Sequence, residues 1–257
     1  MVFTFVSGHR TRRWPAFHTP IFFCHFQDTE GELIFSTLTE ILMVYAANSF
    51  DSSYFNSLPS IESAHDIASS NLSANLELMA PIFFRHSMQD SWGIALLHKH
   101  WDVKASEIPI QEAYISEDTK HYITQPRTSD YNHNAWPSTL SLAPSSSGEV
   151  QSLEFTACGI AQSKYDDLID KPAFIKELQS VLAANNLLGT FGIVQGRETA
   201  PGYQLVENSP EGRMSILTEV SVKESNSQSL IQTAWFFSAN LKGMQCVAHC
   251  GKACLVN

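Results

Sequence analysis

Two stretches far apart in the chain follow one pattern, and that echo constrains the fold more than any other feature. Leu76 to His86 has helical apolar spacing and is followed by Trp92-Gly93-Ile94 and then Ile108-Pro109-Ile110-Gln111-Glu112. Phe174 to Asn185 has the same spacing and is followed by Phe191-Gly192-Ile193 and then Tyr203-Gln204-Leu205-Val206-Glu207. Further strands extend the match, Tyr122 to Thr124 with Met214 to Thr218 and Leu153 to Ala157 with Thr233 to Phe237. The alternative is chance similarity between two ordinary helix–strand–strand units. A true repeat predicts an α+β fold of two α-β-β-β-like halves, residues 74–160 and 173–245. Antiparallel sheet would be covered by helices on one side, with a pseudo-twofold axis between the halves. Ligand sites favour such interfaces.

The segments around the repeats read as follows. Residues 1–31 hold Arg10, Arg12 and Arg13, with no acidic residue before Asp28, and are read as a poorly ordered N-terminal extension. A mitochondrial-type presequence is the other reading, against which stands the lack of Ser-rich amphipathic character. Residues 32–257 form the single α+β domain. Apolar residues from Leu33 to Tyr45 predict an amphipathic helix over Glu32 to Ala47. The polar stretch after it predicts loop with one short helix near Ile61 to Ala68, and Pro81 predicts a helix that starts or kinks there. Ser129 to Val150, with Leu142-Ala143-Pro144-Ser145-Ser146-Ser147-Gly148, reads as a flexible loop in which Tyr131, His133 and Trp136 could form a lid.

Composition excludes several classes. The chain has 257 residues, 44% of them hydrophobic and 16% charged, which suffices for a sizeable core. Its net charge of −10 comes without a basic stripe, against nucleic-acid binding. No apolar run reaches the length of a membrane span. There is no Gly-rich phosphate loop, no Gly-x-Ser-x-Gly, no His-Glu-x-x-His, and the one Asp-Asp pair, Asp166-Asp167, lacks a second matching motif. The five cysteines make an odd set with no disulfide framework, so a reducing, cytoplasmic setting is expected.

The chemistry is concentrated in Trp92-Gly93-Ile94-Ala95-Leu96-Leu97-His98-Lys99-His100-Trp101-Asp102. Strand periodicity puts Trp92, Ile94, Leu96, His98, His100 and Asp102 on one face, so titratable groups continue a buried stripe. Three readings stay open. His98 or His100 acts as acid, base or hydrogen-bond donor with Asp102 orienting the imidazole; the two imidazoles bind one Fe, Mn, Zn or Cu ion with Glu107, Glu112 or His121 as a further ligand; or Asp102 merely fixes a structural histidine. Gly93, His98-x-His100 and Glu107 resemble the first cupin motif, but both intervals differ and no second motif follows. The tail Cys246-Val247-Ala248-His249-Cys250-Gly251-Lys252-Ala253-Cys254 is rich in soft ligands but has no zinc-knuckle spacing, and reads as a frayed terminus, with a metal site in the tail as the alternative.

Phe84-Arg85-His86, the Trp92 to Asp102 string, Ala234-Trp235-Phe236-Phe237 and the terminal cysteines together resemble a group of uncharacterised filamentous-fungal proteins, from about Glu32 to the C-terminus. The resemblance implies a fungal source and secondary metabolism, and no mechanism. The expected function is an enzyme that folds or isomerises an apolar, terpenoid- or polyketide-like molecule without a cofactor. Trp92, Trp101, Phe191, Trp235 and Glu112 would bind the substrate, and His98, His100 and Asp102 would carry the chemistry. Its rivals are a metal-dependent oxygenase or isomerase on the same histidines, and a non-catalytic binding protein.

Overall fold

The computed structural model describes residues 50–115, 120–128, 135–143, 150–157, 161–197, 199–200, 202–210, 212–225, 229–239 and 246–255. All fall in one compact unit, Thr39–Asn257. The extension over 1–31, the helix expected over Glu32 to Ala47, Tyr131 and His133 lie outside the described residues.

The described chain runs α1 (Ser52–Ser57), α2 (Ile61–Ser69), α3 (Leu72–Arg85), β1 (Trp92–Leu96), β2 (Glu107–Ile115), β3 (Lys120–Thr128), β4 (Trp136–Ser141) and β5 (Gln151–Thr156). It continues with α4 (Ala161–Ile169), α5 (Pro172–Ala184), β6 (Phe191–Gln195), β7 (Tyr203–Asn208), β8 (Ser215–Ser221), α6 (Val222–Ser225), β9 (Leu230–Ala239) and β10 (Cys246–Leu255). The helices start where local chemistry allows. Asp51 accepts from the Ser53 and Tyr54 amides, Ser60 from the Ser63 amide, and Pro172 occupies the first turn of α5, where its missing donor costs nothing. Of the two outcomes expected at Pro81, a helix start there is corrected: α3 begins at Leu72 and runs through it. Pro81 and Glu77, whose carbonyl loses its partner, are both exposed, so water can satisfy the freed acceptor.

The α+β expectation is overturned. The strands close into one barrel in the order β1-β6-β4-β5-β2-β3-β8-β7-β10-β9, with β9 returning to β1. Two elements hidden in the sequence make closure possible. Trp136–Ser141, expected as loop, is β4, where a bulge beside Pro137 absorbs the proline; Cys246–Leu255, expected as a frayed end, is β10. Closure gives each strand of the described barrel a neighbour on both sides.

The strand order reads the same, reversed, when β1–β5 are exchanged with β6–β10. Ile94 pairs with Ile193 and Ile123 with Ile216, so a pseudo-twofold axis crosses the barrel through the β1–β6 and β3–β8 contacts. Leu140 pairs with Ile193, and its counterpart Trp235 with Ile94. This relation matches β9 to β4 and β10 to β5, in place of the expected match between Leu153–Ala157 and Thr233–Phe237. It also sets Glu207 against Gln111, not Glu112, because Glu207 faces Cys254 as Gln111 faces Thr156.

The main core lies between the barrel wall and the helices. Phe83 packs on Phe174 and Phe237 with ring centroids 5.0 and 4.8 Å apart, and Met79, Leu178, Leu182, Ile94 and Ile193 fill in around them. Each such side chain contributes about 1.5–3 kcal/mol on burial. No helix among the described residues is long and apolar enough to cross a membrane.

Candidate metal centre

β1 ends at Leu96, and the chain then crosses the barrel end, tied by Leu97 N–H to Thr190 O at 2.9 Å and Lys99 N–H to Pro59 O at 3.0 Å. Asn56 brackets the far side, donating to Val103 O at 2.8 Å and accepting from Val103 N–H at 2.9 Å. Held this way, His98 and His100 both turn inward. Parallel pairing of β7 with β10 sets Glu207 beside Cys254, and Lys252 reaches the same carboxylate. The four side chains that converge are His98, His100, Glu207 and Cys254, with Cys254 fully buried and Glu207 1% exposed.

The spacing is that of ligands around a single ion. His98 Nε2 is 3.2 Å from His100 Nε2, and Cys254 Sγ lies 3.5 Å and 3.7 Å from these two nitrogens. Glu207 Oε2 is 3.2 Å from His100 Nε2 and 3.3 Å from Cys254 Sγ. A tetrahedral zinc with metal–nitrogen bonds of about 2.0–2.1 Å and a metal–sulfur bond of about 2.3 Å separates its ligand atoms by about 3.3–3.6 Å.

An outer ring of partners orients the ligands. The Leu96 carbonyl, 2.8 Å from His98 Nδ1, can only accept, so Nδ1 carries the proton and the neutral ring presents the Nε2 lone pair. Ser215 donates to Glu207 Oε1 at 2.6 Å, Lys252 Nζ lies 2.6 Å from Oε2, and Thr233 Oγ1 lies 3.6 Å from Cys254 Sγ. Burial, then the charges of His100 and Lys252, push His98 down to about 3. Burial opposes charge on Glu207 as well, but Lys252 and His100 outweigh it and hold the carboxyl well below its ordinary range. Glu207 in turn overcomes burial at His100 and at Lys252, raising both. Burial, reinforced by Glu207, raises the Cys254 thiol well above its ordinary value, so without a metal ion the site holds a thiol.

The other residues singled out in the sequence stand elsewhere. Asp102 is 70% exposed and pairs with Lys99 Nζ at 2.7 Å, so it orients neither imidazole; Glu207 partners His100 instead. Glu107 pairs with Arg213, Glu112 with Arg127, and His121 Nδ1 lies 3.2 Å from Thr218 Oγ1, so none joins the two histidines. Trp92, Phe191 and Trp235 belong to the core under the helices, Trp92 Nε1 donating to Lys164 O, whereas Trp101 packs on Phe55 in a separate cluster. Trp136, the expected lid residue, is buried against Tyr165. The side chains of Cys246, His249 and Cys250 lie outside the described residues.

Two cavities, each of about 30 Å³, adjoin the centre and share Thr139, Glu154, Val194, Ala234 and Lys252; the first is also lined by His98, the second by Arg197. Each has room for one or two waters, against the ~150 Å³ that holds benzene. Sequence reasoning had His98 and His100 from their spacing, weighed Cys254 only among the soft ligands of the tail and never with these histidines, and missed Glu207, whose one signal was a strand ending in Glu. Comparison with protein-family models, with curated proteins and with solved structures finds no match for this chain.

Proposed function

We propose that this protein binds one divalent transition-metal ion, zinc before iron, through His98, His100, Glu207 and Cys254. The observation that carries the reading is that five of the six ligand-to-ligand distances are 3.2 to 3.7 Å and all lie within 4.8 Å, on two partly buried and two buried side chains of mixed nitrogen, oxygen and sulfur character. Hydrogen-bond partners behind the ligands orient them, as outer-shell groups do at metal sites. Nitrogen and sulfur donors in a tetrahedron select zinc or iron over magnesium or calcium. Four protein ligands leave no open position, which is the pattern of a metal that shapes structure.

Charge supports the exchange of protons for metal. The cation-free site holds one proton on Cys254 and, below its raised pKa, one on His100; a divalent ion that displaces both leaves the buried charge unchanged. Titrating chelator-treated protein with cobalt(II) tests the reading. The expected result is one equivalent bound, with visible bands of tetrahedral cobalt and a thiolate-to-cobalt charge-transfer band that Cys254→Ser abolishes. Octahedral cobalt bands, or binding indifferent to Cys254→Ser, Glu207→Gln and His98→Gln alike, would overturn it.

A further inference from the structure

We infer that the metal is the clasp holding the β9–β10 hairpin in the barrel wall, and that its removal opens the barrel along that hairpin. The inference rests on the metal reading above. β9 and β10 pair with each other from Cys246↔Ala239 to Leu255↔Leu230. Their ties to the rest of the barrel are short. Among the described residues, β9 meets β1 only at Ile94↔Trp235 and Ala95↔Ala234, and β10 meets β7 only at Lys252↔Leu205, Ala253↔Val206 and Cys254↔Glu207. The ligands span both sides of the hairpin: His98 and His100 come from the chain leaving β1, Glu207 from β7 and Cys254 from β10. One ion therefore ties the hairpin to both neighbours.

The pseudo-twofold axis supplies an independent observation. The β4–β5 hairpin stands in the same position in the other half, joined to β6 at Thr139↔Val194, Leu140↔Ile193 and Ser141↔Gly192 and to β2 at Ile110↔Phe155 and Gln111↔Thr156. There Arg197, which follows β6 as His98 follows β1, donates to the side-chain oxygens of Gln111 on β2 and Thr156 on β5. Arg197, Gln111 and Thr156 occupy the places of His98, Glu207 and Cys254. One seam is thus crossed by a guanidinium that needs no cation. The other is crossed, without a metal, by the Glu207 carboxylate paired with Lys252 and His100 and by its contact with the Cys254 sulfur, while His98 stays neutral, and a metal ion would join His98, His100, Glu207 and Cys254 at one point.

Hydrogen exchange read by mass spectrometry on the full chain, zinc-loaded and then chelated, tests this. Peptides covering 203–208, 230–239 and 246–255 should exchange at least about tenfold faster without zinc, while those covering the β2–β3 hairpin keep their rates. Cys254→Ser and His100→Gln should each show the chelated pattern in the presence of zinc, and the chelated wild-type chain gives the same reading should a variant fail to fold. Arg197→Met should loosen 136–141 and 151–156 whether or not zinc is present. If cobalt binds with its tetrahedral spectrum but the hairpin exchanges no faster on chelation, or every peptide accelerates equally, the clasp is wrong and the metal site stands. If no metal binds, both readings fall.

Discussion

At the scale of single residues, Glu207 is the hinge of the centre. It accepts from Ser215, faces Lys252 and His100, and touches the Cys254 sulfur, all at 1% exposure. Glu207→Gln leaves the Lys252 ammonium buried without its nearest counter-charge. Breaking one partner of a buried pair costs about 3–5 kcal/mol, so the variant should lose about that much in urea unfolding of the metal-free protein. Asp102→Asn removes only an exposed pair with Lys99 and should move the same curve by no more than about 0.5 kcal/mol. Equal losses would reverse the ranking of the two acids. Acid should also expel the metal. Cys254 holds its proton across the neutral range, so zinc affinity falls about tenfold per pH unit there, steepening to about a hundredfold per unit once pH drops below the raised pKa of His100. His98, depressed to about 3, stays neutral and adds no proton. Calorimetry in buffers of different ionisation heat counts the protons released, and a count near zero at pH 6 would contradict this assignment.

At the scale of elements, the repeated aromatic-Gly-Ile words have a packing cause. They meet each other in the β1–β6 ladder, where neighbouring strands crowd in: a Cβ on Gly93 would lie 2.5 Å from the Trp235 carbonyl oxygen, and one on Gly192 2.2 Å from that of Leu140. Backbone atoms cannot step aside at little cost, so Gly93→Ala and Gly192→Ala should each destabilise the protein by about 2 kcal/mol, seen as a lowered denaturation midpoint. Unchanged midpoints in both would mean that the strands are not this close. These two glycines and the helices before them were legible because their pattern is local. β4 was not, since Pro137 and the polar residues around it read as loop, and only the partners β5 and β6 make a strand of them. β10 was masked in the same way by its cysteines and Gly251, at a bulge in the β9 ladder.

At the scale of the whole molecule, the two halves trade edges: β1 lies beside β6 and β3 beside β8, so neither half closes its sheet alone. Stability should therefore respond to the metal globally as well as at its seam. Zinc at about a hundred times its Kd adds about 2.7 kcal/mol, which in a domain of this size raises Tm by roughly 5–10 °C, readable by scanning fluorimetry. A Tm indifferent to zinc in the wild-type chain would tell against the site. The sequence by itself determined the helices before β1 and β6, the echo between the halves, and the pair His98 and His100, because each depends on residues close together in the chain. Tertiary structure alone decided that the sheet closes, that Asp102 turns outward, and that Glu207 and Cys254 complete the centre. Those outcomes depend on which strands lie side by side and in what register. A one-residue shift of β7 against β10 would carry Glu207 to the opposite face, and nothing within either segment specifies that register.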